Sequence, residues 1–306
     1  MSPEEVIQKT IDEYRPERWF VGFSGGRDSI VATHWMMSNV QGCEVVHCNT
    51  GIGIEKTRSY VRETCADYGW PLHEIFAKED CGMDYDEIVL ESGFPGPSQH
   101  MRMYIQLKER CIEKLVRDNK THRMGKIVIA TGIRHDESMI RAGYTGREVT
   151  QKGAQVWVNP LYSWNIEQFN EYRCANNLPH NEVTDMLGFS GECLCGAYAA
   201  PGELARIRAV EPATADRIER LQIESMRRGR TWSYEGHPPK GGYNKDQMTI
   251  PFEEQPMCVG CNAKVGNLIN YLEPKCKCDT PRRDSDGICM YCDLPVGHAS
   301  GGSHVG

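Results

Sequence analysis

The stretch Trp19-Phe20-Val21-Gly22-Phe23-Ser24-Gly25-Gly26-Arg27-Asp28-Ser29-Ile30-Val31-Ala32-Thr33 decides the fold, because it reads as strand, glycine turn and helix in succession. Trp19 to Phe23 is a short apolar run with aromatic and β-branched residues, the pattern of a buried strand. Ser24, Gly25 and Gly26 break it, and helical spacing resumes through Ile30, Val31, Ala32, Trp35 and Met36. Two adjacent glycines let the backbone turn sharply and approach a ligand with no Cβ in the way. Successive N–H groups at the start of a helix form a concavity that stabilises an anion. Ser24 and Ser29 add hydroxyls, and Arg27 adds a guanidinium fork suited to phosphate oxygens. Asp28 cannot favour phosphate directly, so it is expected to brace the loop or to help hold Mg²⁺. An ordinary glycine turn is the alternative reading. The stretch lacks the lysine of the G-x-x-x-x-G-K-[ST] phosphate loop.

Further strands follow at regular intervals. Glu44 to Cys48 reads as a second strand ending in Asn49-Thr50-Gly51, and Leu72 to Phe76 as a third. Helices are expected over residues 3–15, with Ile7, Ile11 and Tyr14 on one face, and through Tyr60 and Cys65. Strand-helix alternation at these lengths predicts an α/β fold, a Rossmann-like doubly wound parallel sheet. Ligands of such sheets sit at the carboxyl ends of the strands, where strand order reverses. Residues 81–100 carry Gly82, Gly93, Pro95, Gly96 and Pro97 and read as a long loop. A helix begins near Met101. Lys126 to Thr131 is the next strand, followed by Gly132-Ile-Arg134-His-Asp-Glu-Ser-Met-Ile-Arg141. Arg134 and Arg141, placed after a strand end, suit an anionic ligand. Gln155 to Pro160 reads as a last strand, Asn165 with Gln168 as a helix start, and 203–228 as one helix. This gives a nucleotide-binding domain over 1–230, a linker or loop over 231–256, a Cys-rich metal-binding segment over 257–297 and a disordered tail over 298–306.

Composition bounds the function. The chain has 306 residues, 40% hydrophobic content and a net charge of −7, which argues against a generally basic nucleic-acid binder. No apolar run has the length of a membrane span, and MSPEEVIQKT lacks the apolar core of a secretion signal, so a cytoplasmic location is expected. Fourteen cysteines then suggest metal ligands over disulfides.

Taken together, FSGGRDS, CNTGIGIEKT, YGWPLHEI, GIRHDESMIR and NPLYSWNIEQFNEYRCANNLPHNEVTDMLGFSGECLCG resemble the phosphoadenylyl-sulfate (PAPS) reductase family. That family lies within the adenine-nucleotide α-hydrolase fold, and the loop itself resembles that of the ATP pyrophosphatase superfamily. The resemblance covers roughly residues 18–210. It implies that Ser24, Gly25, Gly26, Arg27, Asp28 and Ser29 hold pyrophosphate or a phosphosulfate. It implies that Thr50 and Gly51, with Asn49 and Gly132, line the nucleotide, and that Arg134 and Arg141 grip the anionic end of the substrate. The chain departs from true reductases in two ways. Its Ser-Gly-Gly-x-Asp-Ser loop is intact, which favours ATP, and no terminal Glu-Cys-Gly-[Ile/Leu]-His follows; Glu192-Cys193 is internal. It therefore looks more like the ATP-using, sulfur-handling branch.

Eight cysteines fall in four close pairs: Cys193/Cys195, Cys258/Cys261, Cys276/Cys278 and Cys289/Cys292. The first two pairs resemble the [4Fe–4S] ligand set of adenylyl-sulfate reductases and DNA phosphorothioation proteins, four thiolates to a cluster. The last two have the spacing of a small tetrahedral Zn²⁺ site. Alternatively Cys258/Cys261 and Cys289/Cys292 form one zinc ribbon, and spacing alone does not choose between iron and zinc.

Three functions follow. The first is an adenylating sulfurtransferase that uses ATP and Mg²⁺, with Asp28, Arg134, Arg141 and Cys193 in catalytic roles. Its partners would be a nucleotide, tRNA or DNA substrate and a sulfur-donor protein or thiol reductant. The second is a PAPS or adenylyl-sulfate reductase. The third is a non-enzymatic nucleotide- or nucleic-acid-binding protein with a zinc ribbon.

Overall fold

A computed structural model describes residues 1–135, 148–230 and 232–236. Helix α1 (Pro3–Tyr14) opens with a capping box in which Ser2 and Glu5 bond each other's backbone N–H. Its buried face is Pro3, Val6, Ile7 and Thr10, one step round from the expected face, so Ile11 points to solvent. Then follow β1 (Arg18–Gly22), α2 (Arg27–Asn39), β2 (Cys43–Asn49), α3 (Glu55–Asp67) and β3 (Leu72–Phe76). The next helices are α4 (Tyr85–Ser92) and α5 (His100–Tyr104), and a π-helical turn, Ile105–Glu109, joins α5 to α6 (Arg110–Asn119). Strand β4 (Ile127–Ala130) precedes a hairpin of β5 (Val149–Lys152) and β6 (Gln155–Val158). Four helices complete the described chain: α7 (Ile166–Ala175), α8 (Glu182–Leu187), α9 (Glu203–Val210) and α10 (Pro212–Arg227).

The six strands form one sheet in the order β3-β2-β1-β4-β6-β5, parallel except for the β5–β6 pair. Alternation along each strand covers both faces. Phe20, Val46, Ile127 and Ile129 face a core shared with α4, α6, α9 and α10. Trp19, Val21, Val45, Val128 and Ala130 face the opposite core, shared with α1, α2, α3 and α7. This is the doubly wound arrangement that the strand-helix alternation implied.

Two expectations are corrected. Residues 81–100 contain α4, which fits between the two glycines because Asp84 caps its start and Gly93, at φ +82°, ends it. The 203–228 helix is two helices, since Pro212 cannot continue α9 and instead occupies the first turn of α10. Residues 232–236, expected in a linker or loop, have no regular secondary structure and pack on the core, with Tyr234 fully buried. Arg141, the Cys-rich segment 257–297 and the tail lie outside the described residues. Among the described residues, no helix is long and apolar enough to cross a membrane.

Candidate functional site

Strand order runs from β1 through β2 to β3 on one side and to β4 on the other, so it reverses at β1. A crevice therefore opens at the carboxyl end of β1, where Ser24, Gly25 and Gly26 lead into α2. Gly25 sits at φ +75°, and a Cβ there would lie 2.7 Å from Thr57 Cγ2, so the turn requires glycine. Gly26 is the N-cap of α2, and no side chain caps that helix end. An uncapped helix N-terminus is a site for an anion. Ser29 Oγ donates to the Gly26 carbonyl at 2.8 Å and lies 3.3 Å from Ser24 Oγ, so both hydroxyls share the concavity. Gly132, past the end of β4, packs on the first turn of α2; a Cβ there would come within 2.5 Å of the Asp28 carbonyl oxygen.

Two charged residues of the loop are already engaged. Asp28 Oδ1 accepts from Arg134 Nε at 2.8 Å, and the Arg134 guanidinium lies 4.6 Å over the Phe169 ring. Arg134 is only 6% exposed. Asp28 is thus joined to Arg134, and Arg134 is held against the loop by that bond. Arg27 Nη2 donates to Asp185 Oδ1 at 3.1 Å, and His180 lies 2.7 Å from the other oxygen of Asp185. Burial raises the Asp185 pKa, but His180 and Arg27 outweigh it and hold the carboxyl below its ordinary value.

One segment, residues 180–195, clasps the loop and the turn after β2 together. Asn181 Nδ2 donates to the Gly25 carbonyl and to Thr57 Oγ1, each at 3.0 Å. Thr57 Oγ1 donates onward to the Ser190 carbonyl. The backbone pairs Ile54 N–H with Gly191 O at 2.9 Å and Leu194 N–H with Ile52 O at 2.8 Å. Glu192, 2% exposed, accepts from the Thr50 N–H at 3.1 Å and the Thr50 hydroxyl at 3.3 Å. Its second oxygen lies 3.4 Å from Arg58 Nε and 3.2 Å from His47 Nε2. His47 is also buried, and its Nδ1 faces the Phe23 carbonyl at 2.7 Å. Both ring nitrogens face acceptors, so the imidazolium is the form that satisfies both. Burial opposes that charge, yet Glu192 and the Phe23 carbonyl raise the His47 pKa above its ordinary value. Burial likewise opposes the Glu192 carboxylate, and His47, Arg58 and Thr50 hold it low. A buried ion group thus lies under the expected nucleotide turn. Asn49 shapes the same turn, accepting from Gly51 N–H at 3.1 Å and donating to Glu74 at 2.8 Å.

Glu192 leads directly into the paired cysteines. A hydrogen bond from the Cys195 thiol holds Cys193 down at about 7 against the cost of burial, and the Lys108 ammonium from the π-helical turn adds to this. Cys195 is pushed the other way. The Tyr85 hydroxyl donates to the Cys195 carbonyl at 3.1 Å. Beyond α10 the chain returns to this place. Tyr234 packs on Gly196, whose Cβ would meet its ring at 3.0 Å, and its hydroxyl bonds Glu203 at 3.1 Å. Among the described residues, no group of three or more His, Cys, Asp or Glu side chains is arranged to hold a metal ion. Cys193 and Cys195 are free thiols there, and Cys258, Cys261, Cys276, Cys278, Cys289 and Cys292 lie outside the described residues.

A cleft of about 330 Å³ opens beside Gly51, at the ends of β2 and β3, lined among others by Glu55, Arg58, Arg62, Lys78, Asp86 and Arg217. Arg217 ties the cleft to the nucleotide turn, donating to the Gly51 carbonyl at 2.6 Å and to Asp86 at 2.7 Å.

Sequence reading located Ser24–Ser29, Asn49–Gly51, Gly132 and Arg134, and the fold brings all of them to one end of the sheet. It missed Asn181, Asp185, His47, Arg58 and Arg217. Asn181 and Glu192 stood inside the quoted family stretch, but their partners lie 156 and 142 residues away in the chain.

A protein-family model described as the phosphoadenosine phosphosulfate reductase domain matches residues 18–189. The chain is 33% identical over 91 residues to the tRNA-5-methyluridine(54) 2-sulfurtransferase of Pyrococcus horikoshii, covering 28% of this chain and 29% of that protein. It is 33% identical over 58 residues to the phosphoadenosine phosphosulfate reductase of Saccharomyces cerevisiae, 19% of this chain and 22% of that one. The matched stretches thus span less than a third of either relative's length. Among solved structures, PAPS reductase from Candida auris, a phosphate complex, aligns with TM-score 0.45 and 20% identity over 62% of this chain and 86% of that chain. NMN synthetase from Francisella tularensis aligns with TM-score 0.44 and 15% identity over 74% and 94%. The family model spans more than half of the chain and takes in the Ser24–Ser29 loop, the Asn49–Gly51 turn and the Asn181 clasp, so the chain belongs to the phosphoadenosine phosphosulfate reductase domain family.

Proposed function

We propose that this chain binds ATP at the Ser24–Ser29 loop and adenylates an acceptor for sulfur transfer, releasing pyrophosphate. The observation that carries this reading is the loop itself: an uncapped helix N-terminus with two hydroxyls beside it, held in shape by Gly25 and Gly132 where any side chain would collide. Such a concavity suits the departing pyrophosphate, whose growing charge is stabilised by N–H groups already in position. Asp28 is the carboxylate that would help hold Mg²⁺, which supplies further charge neutralisation on the phosphates.

In this reading an acceptor oxygen attacks the α-phosphorus and pyrophosphate leaves with the electron pair of the broken P–O bond. A sulfur nucleophile then takes the place of AMP on the acceptor. Asn49, Thr50 and Gly51 line the nucleoside, Glu192 fixes their turn, and the cleft beside Gly51 receives the acceptor. Arg134 keeps Asp28 in place and Arg141 carries the second positive charge after β4. Cys193, with a thiol poised near neutrality, is the group that would handle sulfur. Cys193 and Cys195, one residue apart and one of them readily ionised, also fit half of a four-thiolate cluster whose other half would be Cys258 and Cys261. A [4Fe–4S] cluster there would supply a site for binding or relaying sulfur, and Cys276, Cys278, Cys289 and Cys292 would hold Zn²⁺. The Pyrococcus horikoshii relative, named a tRNA sulfurtransferase, supports a nucleic-acid or nucleotide acceptor.

A second reading, reduction of PAPS or adenylyl sulfate, is favoured by the same low-pKa thiol and by the yeast relative. The test is to incubate anaerobically purified protein with ATP, Mg²⁺, sulfide and bulk tRNA or DNA. AMP, pyrophosphate and a thiolated nucleoside by mass spectrometry support the first reading. Sulfite release from PAPS with a thiol reductant, and no pyrophosphate from ATP, replaces it with the second.

A further inference from the structure

We infer that Asn181 is the residue that positions the phosphate loop for pyrophosphate. This rests on the reading of Ser24–Ser29 as a pyrophosphate site. Asn181 is 6% exposed and lies on no strand end or loop that meets the ligand directly. Its side chain spends every hydrogen-bonding group in one fixed sense. Oδ1 accepts from Val183 N–H at 3.0 Å, capping α8. Nδ2 donates to the Gly25 carbonyl and to Thr57 Oγ1, both at 3.0 Å. Thr57 cannot return that donation, because its own proton goes to the Ser190 carbonyl. The chain of bonds therefore has a direction, and the amide cannot be flipped without opposing two acceptors.

The consequence falls on the backbone. Gly25 is left-handed at φ +75°, and its carbonyl is drawn inward by Asn181, with Thr184 Oγ1 adding a longer contact at 3.5 Å. Pinning that carbonyl fixes the Gly25–Gly26 peptide plane, so the Gly26 N–H is turned to the opposite side. That side is the concavity of Ser24 and Ser29. The same asparagine sets the distance from the loop to α3 through Thr57, whose methyl lies against Gly25. Preorganised N–H groups bind a phosphate oxygen without a reorganisation cost, so loosening this plane weakens pyrophosphate more than it weakens the nucleoside.

Two substitutions separate this role from plain structural support. Aspartate and serine both cap helices well, so Asn181→Asp and Asn181→Ser keep the start of α8. Aspartate places an acceptor against the Gly25 carbonyl and the Thr57 oxygen. Serine is too short to reach them. Titration calorimetry of the full chain with magnesium pyrophosphate and with AMP reads the outcome, with thermal unfolding as the control. Expected is a loss of at least tenfold in pyrophosphate affinity in both variants, with AMP affinity within twofold of the wild type. Unchanged pyrophosphate affinity in a folded variant overturns the inference while leaving the site reading intact. Equal losses for pyrophosphate and AMP overturn it too, since Asn181 would then support the whole pocket. If the wild type binds AMP but no pyrophosphate, the reading of the loop itself falls, and the inference with it. Should Asn181→Asp fail to fold, Asn181→Ser decides; should both fail, Thr184→Val, which removes the weaker bond to the same carbonyl, must show a smaller loss confined to pyrophosphate.

Discussion

Substituting Gly26 by alanine separates the ligand's demands from the fold's. Gly26 has φ −84° and ψ 164°, an extended conformation that alanine adopts freely. An added Cβ would meet Ser190 Cβ and Ser24 Oγ at 3.6 Å and Ser29 Oγ at 3.8 Å, all ordinary contacts. The unliganded protein should therefore tolerate it: the loss of glycine's freedom in the unfolded chain stabilises by about 0.4–1 kcal/mol, and alanine's poorer fit at the N-cap of α2 offsets roughly as much, so stability should change little. The methyl nevertheless projects among the two hydroxyls that face the anion. It would push a bound phosphate away from the amides at the start of α2. Losing two charge-assisted hydrogen bonds of about 1.5–3 kcal/mol each costs roughly 3–6 kcal/mol of binding. At 1.4 kcal/mol per decade, affinity for magnesium ATP should fall at least ~100-fold. Calorimetric binding, with urea unfolding as control, measures both quantities. A variant with unaltered stability and unaltered ATP affinity refutes the assignment of phosphate to this concavity.

Other outcomes follow from the same geometry. Gly132→Ala drives a Cβ to 2.5 Å from the Asp28 carbonyl, backbone against backbone, and should cost about 1–3 kcal/mol in urea unfolding; a loss under 0.5 kcal/mol contradicts the packing of β4 on α2. The buried His47–Glu192 pair gives stability a pH window. Because the folded His47 pKa is raised, its contribution is full below the unfolded value of 6.5 and is lost as pH rises through the folded value. Because the folded Glu192 pKa is lowered, its contribution is full above 4.5 and is lost as pH falls through the folded value. Thermal stability should thus peak between those values and decline on both sides, and His47→Gln should flatten the alkaline limb; an unchanged alkaline limb in that variant removes the imidazolium from the account. In metal-free reduced protein, iodoacetamide should modify Cys193 with a half-maximal rate near pH 7 and leave Cys195 behind; equal modification of both, only above pH 9, contradicts a Cys193 thiolate held by the Cys195 thiol.

How much of this was legible in the sequence depends on the range of the interaction. Strand β3 was read to the residue, and the Asn165–Gln168 start of α7 forms the reciprocal cap expected of it. Both are local: a strand period and a four-residue motif. The turn from β1 into α2 was legible for the same reason, since its glycines and hydroxyls are contiguous. Helix α4 was not, because Gly82 and Gly93 read as loop markers when they in fact bound an eight-residue helix. The break at Pro212 was hidden by good helix formers on both sides of it. The antiparallel β5 has three exposed residues and no apolar run to announce it. The site shows the same division. Asp28 was expected to brace the loop or to help hold Mg²⁺ and Arg134 to grip substrate, and only packing shows the two joined. The Asn181 and Glu192 contacts close across 156 and 142 residues, where no periodicity or spacing carries information.

Nucleotide preference shows whether the intact Ser24–Ser29 loop serves ATP. Magnesium ATP, pyrophosphate, PAPS and adenylyl sulfate would be titrated separately into the anaerobically purified full chain. The account predicts binding of ATP and pyrophosphate, competition between them, and loss of both in Gly26→Ala, with PAPS much weaker. Tight PAPS binding with no ATP binding would contradict it and make the chain a reductase.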